Sequence, residues 1–166
     1  MSGTLVAYFS LTGNTRKVAE AIYDTLDEPK VIKKIQEVKE AVDFSLIFIG
    51  FPVHSHSTPY KVEEFIRSLP SGIKIALFST HGSLTGSRLS REAMEHAVSL
   101  ATKTKVLSTF SCRGEVSLEG MDVLSKSPEH QAWTEMAPSA RSHPDEHDLH
   151  DAQSFAKWTV VLASQP

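Results

Sequence analysis

Residues 45–51 read Ser-Leu-Ile-Phe-Ile-Gly-Phe, an apolar run with no alternating polar position. A strand with one face in water would place a polar residue at every second position, so this run predicts a strand buried on both faces. Strands of that kind belong to parallel sheets covered by helices on both sides, and 45–51 is expected at the sheet centre. The rest of the chain supplies what such a sheet needs. Residues 4–9, 73–79 and 105–111 are further short runs with strand character, and Val31–Ile35 is a weaker one, interrupted by Lys33 and Lys34, as suits an edge.

Helical spacing falls between these runs. Val18, Ala19, Ile22 and Leu26 share one face of a helix over Thr15–Leu26, stopped by Glu28-Pro29. A second helix opens at Thr58-Pro59, with Val62, Phe65, Ile66 and Leu69 at core spacing and Pro70-Ser71-Gly72 as its stop. A third runs from about Leu89 to Thr102. The last has Pro144 at its first position, Asp145, Glu146 and Asp148 in its first turn, and Leu149, Ala152, Ala156, Val160 and Ala163 near helical spacing. Five strands alternating with helices imply right-handed crossovers and a doubly wound α/β fold, a five-stranded parallel sheet with helices on both faces. Residues 113–142 fit least, with Ser127-Pro128-Glu129 as the start of a short helix and Pro138 as its stop, a lid or a long connection.

A length of 166 residues, 40% of them hydrophobic, predicts one domain over 1–166. Seventeen Lys and Arg against 20 Asp and Glu give a net charge of −3, which argues against nucleic acid and anionic membranes as partners. No apolar run reaches membrane-spanning length and residues 1–9 lack a signal-peptide pattern, so a cytoplasmic protein is expected. A single cysteine, Cys112, excludes an internal disulfide and a cysteine-based metal cluster, so redox chemistry would require a bound cofactor.

The richest chemistry lies where the first strand feeds the first helix, through Ser10-Leu11-Thr12-Gly13-Asn14-Thr15. The first N–H groups of a helix lack internal partners and the peptide dipoles favour negative charge there. Ser10, Thr12 and Thr15 add hydroxyls, Gly13 permits close backbone approach, and Asn14 can join the cradle. A nucleoside-triphosphate loop would need Gly-Lys-Ser or Gly-Lys-Thr, and a dinucleotide fingerprint three spaced glycines; neither is present. A single monophosphate held by neutral donors remains.

This hexapeptide, placed after an N-terminal strand, resembles the Thr/Ser-x-Thr-Gly-x-Thr loop with which flavodoxins hold the phosphate of FMN, and the element order resembles the flavodoxin-like fold along nearly the whole chain. The resemblance implies FMN as cofactor. It also implies that two further loops flank the flavin ring: Phe51–Pro59, with Pro52, Val53 and His54, and Thr80–Ser87, with Thr80, His81, Gly82 and Ser83. Neither loop contains the Trp or Tyr that the family usually lays against the ring, so His54, His56 or Phe51 would stand in, and the reduced flavin should be less destabilised than in an acidic, tryptophan-stacked relative.

Phe110-Ser111-Cys112-Arg113-Gly114 and Ser142-His143-Pro144-Asp145-Glu146 resemble a subgroup of short flavodoxin-family proteins. Cys112 reads either as a small residue filling a strand end or as a thiol activated by Arg113. His143, His147, His150 and Asp151 invite a metal reading, but without flanking cysteines they read as polar residues at a helix start. Trp133 and Trp158 read as packing residues.

The resemblance implies an electron carrier, monomeric or weakly dimeric, that takes electrons from a flavoprotein reductase and passes them to an acceptor enzyme. Two alternatives are an FMN-dependent NAD(P)H quinone or small-substrate reductase, in which Tyr60, His54 or His81 would orient or protonate substrate, and a flavin-free interaction module on the same fold.

Overall fold

The run at 45–51 becomes the middle of a sheet. A computed structural model of the chain describes residues 3–53 and 57–166. Strand β3 (Phe44–Pro52) lies between β1 (Gly3–Tyr8) and β4 (Lys74–His81); β2 (Lys30–Lys34) adds beyond β1 and β5 (Lys105–Arg113) beyond β4. All four pairings are parallel, and the order is β2-β1-β3-β4-β5. The chain moves outward from β1 to β2 and then crosses back to β3. That reversal opens a crevice at the carboxyl ends of β1 and β3, where ligands of such sheets sit.

Alternation along the central strands divides the core in two. Ile47, Ile49 and Phe51 of β3 and Ile75 and Leu77 of β4 face α2 (Tyr60–Ser68) and α3 (Arg88–Leu100), meeting Val62, Phe65, Ile66 and Ala97. Phe48 and Phe78 face the other way with Val6, against Val18, Ala19 and Ile22 of α1 (Asn14–Thr25) and Ala152, Phe155 and Ala156 of α6 (Glu146–Ala163). Phe155 is the joint on this side, edge-on to Phe48 with ring centroids 5.7 Å apart and stacked on Phe110 at 5.4 Å. Each fully buried large side chain contributes about 1.5–3 kcal/mol of hydrophobic stabilisation. The edge strands are less apolar, and Lys33 and Lys34 of β2 are exposed.

The structure moves several expected boundaries. Thr80 and His81, expected in a loop, belong to β4, because pairing with β5 continues through Thr80 with Cys112 and His81 with Arg113. Ile35 leaves β2 for a 3-10 turn (Ile35–Glu37) and is buried with the α2 and α3 side of the core. Pro144 lies outside α6, whose cap is Asp145. The Asp145 carboxylate accepts the Asp148 N–H at 3.0 Å while the Asp148 carboxylate accepts the Asp145 N–H at 2.8 Å, a reciprocal capping box that makes Glu146 the first helical residue, two residues later than the proline suggests.

Residues 113–142 are a helical insertion. It holds α4 (Leu118–Ser125), a 3-10 turn over Pro128–His130, α5 (Gln131–Met136) and a second 3-10 turn over Ala137–Ala140 that contains Pro138. Ser117 caps α4 by accepting the Gly120 N–H at 3.0 Å. No residue of α4 is buried, which is why it carries no apolar stripe that sequence could reveal.

Candidate functional site

The start of α1 gathers backbone donors around one hydroxyl. Gly13 sits at φ 94°, a left-handed conformation that residues with a Cβ rarely adopt, and its carbonyl accepts the Lys17 N–H at 3.1 Å to begin the helix. The Ser10 hydroxyl oxygen accepts from both the Gly13 N–H (3.2 Å) and the Arg16 N–H (3.4 Å). Backbone donors from both sides of the helix start therefore converge on one point. The first turn carries no carboxylate, so the positive end of the helix dipole is not neutralised there. Leu11 and Thr12 are exposed beside it.

Two members of this loop have structural ties. Thr15, 1% exposed, shares a hydrogen bond with Thr80, 3% exposed, their hydroxyl oxygens 2.8 Å apart. This bond fastens the loop after β1 to the end of β4 across the crevice. The Asn14 amide donates to the Glu115 carbonyl at 2.9 Å, bringing the same loop to the segment after β5. That approach requires Gly114, because a Cβ there would lie 2.7 Å from Asn14 Nδ2.

The loop after β3 starts with Val53, whose N–H donates to the Thr80 carbonyl at 2.8 Å. His54 and His56, expected to cover a ring, lie outside the described residues. Beyond them Thr58, 3% exposed, donates its N–H (3.2 Å) and hydroxyl (2.7 Å) to Nδ1 of His96 in α3. Because an N–H can only donate, that nitrogen carries the lone pair.

The loop after β4 is held most firmly. His81 is 3% exposed and donates its Nδ1–H to the Ser83 carbonyl at 2.9 Å, so Nε2 is the acceptor nitrogen and is buried with no partner among the described residues. Burial pushes the His81 pKa below its ordinary value, and the Arg113 charge acts in the same direction. Ser83 is fully buried, and its hydroxyl accepts from Ser87 at 3.0 Å. Arg113, at the end of β5, donates from Nε to the Ser83 carbonyl (3.0 Å) and from Nη2 to the Gly82 carbonyl (3.0 Å). The same guanidinium reaches the Met136 carbonyl (3.1 Å) and the Ser139 carbonyl and hydroxyl (3.0 and 2.9 Å). Gly82 lies against Val116, whose Cγ2 would be 2.3 Å from a Cβ on residue 82.

The structure thus brings Ser10, Gly13, Asn14, Thr15, Thr80, His81, Gly82 and Ser83 to one edge of the sheet, with Pro52 and Val53 beside them. Sequence reasoning did not place Glu115, Val116 or His96 there. Arg113 was noted only as a neighbour of Cys112. Glu115 and Arg113 act through backbone carbonyls, Val116 by a methyl group against Gly82 and His96 by a ring nitrogen that accepts from Thr58, contacts between distant positions that leave no pattern in a sequence.

Two other expectations resolve against chemistry. Cys112 is 3% exposed; burial raises its thiol pKa well above the ordinary value, and Asp148, Asp145 and Asp151 add to the shift. The activated-thiol reading is therefore wrong: Arg113 directs its guanidinium to carbonyls. Among the described histidines, His143 approaches the acids of the capping box, with Nδ1 2.6 Å from an Asp148 oxygen; His147 and His150 are not part of that group. It serves the start of α6. Trp133 is buried, edge-on to His130 with centroids 5.6 Å apart, as a packing residue should be, whereas Trp158, expected to pack as well, is 57% exposed on α6, whose buried positions are Ala152, Phe155, Ala156 and Thr159.

The model of the Flavodoxin domain matches residues 5–157. The chain belongs to the flavodoxin family. Among curated proteins, it is 30% identical over 174 residues to the flavodoxin-like domain-containing protein BilS of Clostridioides difficile strain CD3, with 97% of this chain and 98% of that protein covered. Flavodoxin 2 from Bacillus cereus, solved oxidised, has the same fold at a TM-score of 0.67 and 19% identity, covering 96% and 99% of the two chains. A short-chain flavodoxin associated with a non-canonical PDU bacterial microcompartment superposes at 0.67 with 16% identity over 99% and 100%. A flavoprotein from Lactobacillus acidophilus NCFM, solved in complex with FMN, superposes at 0.55 with 18% identity, covering 67% of this chain and 93% of its own. The flavodoxin resemblance read from the phosphate loop and the order of elements is borne out, and the family supports a flavin cofactor. No helix among the described residues is long and apolar enough to cross a membrane.

Proposed function

We propose that this flavodoxin-family chain is a small FMN-binding electron-transfer protein of the cytoplasm, taking electrons from a flavoprotein reductase and handing them to an acceptor enzyme. The observation that carries the reading is the convergence of the Gly13 and Arg16 N–H groups on one oxygen at the start of α1, a donor set that suits a phosphate monoester. When bound, FMN supplies the one- and two-electron chemistry. The chain's residues bind and orient it. Ser10, Gly13 and Thr12, with the backbone N–H groups of Asn14 and Thr15, would hold the phosphate. Pro52 and Val53 would lie along the ring, and Gly82 and Ser83 would present backbone groups to its polar edge.

The rim supports a protein partner. Leu11, Tyr60, Leu84 and Leu118 are 60%, 69%, 51% and 90% exposed, and each follows a different strand at the carboxyl edge of the sheet. Two of the cations close to them are matched within their own helices, Arg16 with Glu20 and Arg88 with Glu92. An apolar rim with locally paired charges favours docking by contact over long-range steering.

The test is the visible spectrum of the purified protein after FMN addition and gel filtration. Flavin bands co-eluting at about one-to-one support the reading; a colourless protein that retains no FMN refutes it. Holoprotein bleached by NADH or NADPH alone would make it a reductase, whereas reduction only through a flavoprotein reductase makes it a carrier.

A further inference from the structure

Arg113 is the most heavily committed side chain at the site, and its partners are unusual for a cation. All five hydrogen bonds go to neutral oxygens, and among the described residues no carboxylate pairs with it. A guanidinium can donate five N–H groups in a rigid fork. Here one edge of the fork takes the Gly82 and Ser83 carbonyls, and the rest takes the 136–139 turn.

The capture of two successive carbonyls has a geometric consequence. In a trans peptide the N–H points opposite to the C=O, and the peptides after Gly82 and Ser83 are trans. With both carbonyls turned to Arg113, the N–H groups of Ser83 and Leu84 turn away from it. Arg113 belongs to β5, and β5 lies on the side of β4 opposite β3. Of the two donor residues, Leu84 is 51% exposed on the loop that follows β4, the strand whose Thr80 meets Thr15 and Val53, whereas Ser83 is fully buried. His81 reinforces the arrangement from within β4 by donating to the same Ser83 carbonyl.

We propose that Arg113 is the positioning residue for the cofactor's ring: it holds the Gly82–Ser83 and Ser83–Leu84 amides in place and so presents the exposed Leu84 N–H to the ring's electron-rich polar edge. The inference rests on the flavin reading above. The fork also brings an unpaired positive charge behind those amides, so the same residue favours the negatively charged reduced flavin and raises its potential. Sequence reasoning had attached Arg113 to Cys112. The geometry assigns it to the loop after β4 instead.

The ring and the phosphate can be probed separately, because riboflavin has the ring without the phosphate. In wild-type protein, riboflavin added to an amide-resolved NMR sample should shift the Leu84 N–H resonance; riboflavin binding with that resonance unmoved overturns the proposal without any variant. Arg113→Gln and Arg113→Lys should each weaken riboflavin and FMN by the same factor, about tenfold or more as expected for a lost hydrogen bond to a polar acceptor. Arg113→Gln should also lower the potential of the bound flavin. A purely structural role would lower thermal stability and leave the potential in place. Unchanged riboflavin affinity in Arg113→Gln, or full recovery by Arg113→Lys, overturns the assignment of the fork. A wild-type protein that binds neither flavin defeats the functional reading itself, and is thereby distinguished from a failure of Arg113 alone.

Discussion

The Thr15–Thr80 hydrogen bond makes a quantitative test of how the site is held together. Both hydroxyls are buried, 2.8 Å apart, and among the described residues no other hydrogen bond involves either side-chain oxygen. Thr15→Val or Thr80→Val keeps the shape but leaves one buried hydroxyl without its partner. The loss for a buried hydroxyl stranded in this way is about 1–2 kcal/mol. In a domain of this size that corresponds to a fall in Tm of about 2–8 °C. Replacing both residues removes the bond and the stranded group together, so Thr15→Val/Thr80→Val should cost less than the sum of the singles, with a coupling of about 1 kcal/mol. Urea unfolding of the four apoproteins measures this cycle, and FMN and riboflavin affinities on the same samples locate the functional part. Thr12→Val, at an exposed position, should weaken FMN much more than riboflavin and leave Tm unchanged. Strict additivity of the Thr15 and Thr80 effects would refute the paired-hydroxyl account, and equal losses of FMN and riboflavin in Thr12→Val would move the phosphate elsewhere.

Other positions give sharper single readouts. Gly82→Ala places a Cβ 2.3 Å from Val116 Cγ2 and should cost about 1–3 kcal/mol in urea unfolding, with most of it recovered in Gly82→Ala/Val116→Ala. Because burial lowers the His81 pKa, the unfolded chain takes up a proton below about pH 6.5 that the folded chain refuses, so stability falls as pH drops through that value; His81→Gln should flatten the slope between about pH 7 and 5. Cys112 should resist a thiol reagent at neutral pH in the folded protein and react fully in denaturant. Leu118→Ser should slow electron exchange with a reductase severalfold at unchanged FMN affinity, and the wild-type rate should depend only weakly on salt.

The sheet was legible because burial on both faces imposes a composition. Residues 45–51 could be nothing but a central strand, and the lysines of β2 announced an edge. The candidate anion site was legible for a related reason: hydroxyls and a glycine between a strand and a helix have a restricted set of uses. What failed to show was held by groups that every residue possesses. Arg113 acts on carbonyls, Asn14 on the Glu115 carbonyl, and His143 accepts the Glu115 N–H at 2.7 Å through its own carbonyl. A backbone acceptor has no letter in the sequence. The helix α4 was invisible because none of its residues is buried, so its apolar side chains obey no period.

Those backbone contacts also change how the site should be understood. The loop after β1 reaches the segment after β5 through Asn14 and Glu115; Glu115 reaches His143; and the His143 ring meets Asp148, the partner of Asp145 in the capping box of α6. From the other side, Arg113 ties the loop after β4 to the 136–139 turn. The stretch from Arg113 to Ser142 is therefore bonded both to the loop after β1, proposed to hold the phosphate, and to the loop after β4, proposed to meet the ring. Thr15 and Thr80 join the same two loops directly. A perturbation of the insertion should then be felt at both ends of a bound flavin, whereas one confined to Thr12 should be felt at the phosphate alone. The part of the chain least legible in sequence is the part that makes the two half-sites one.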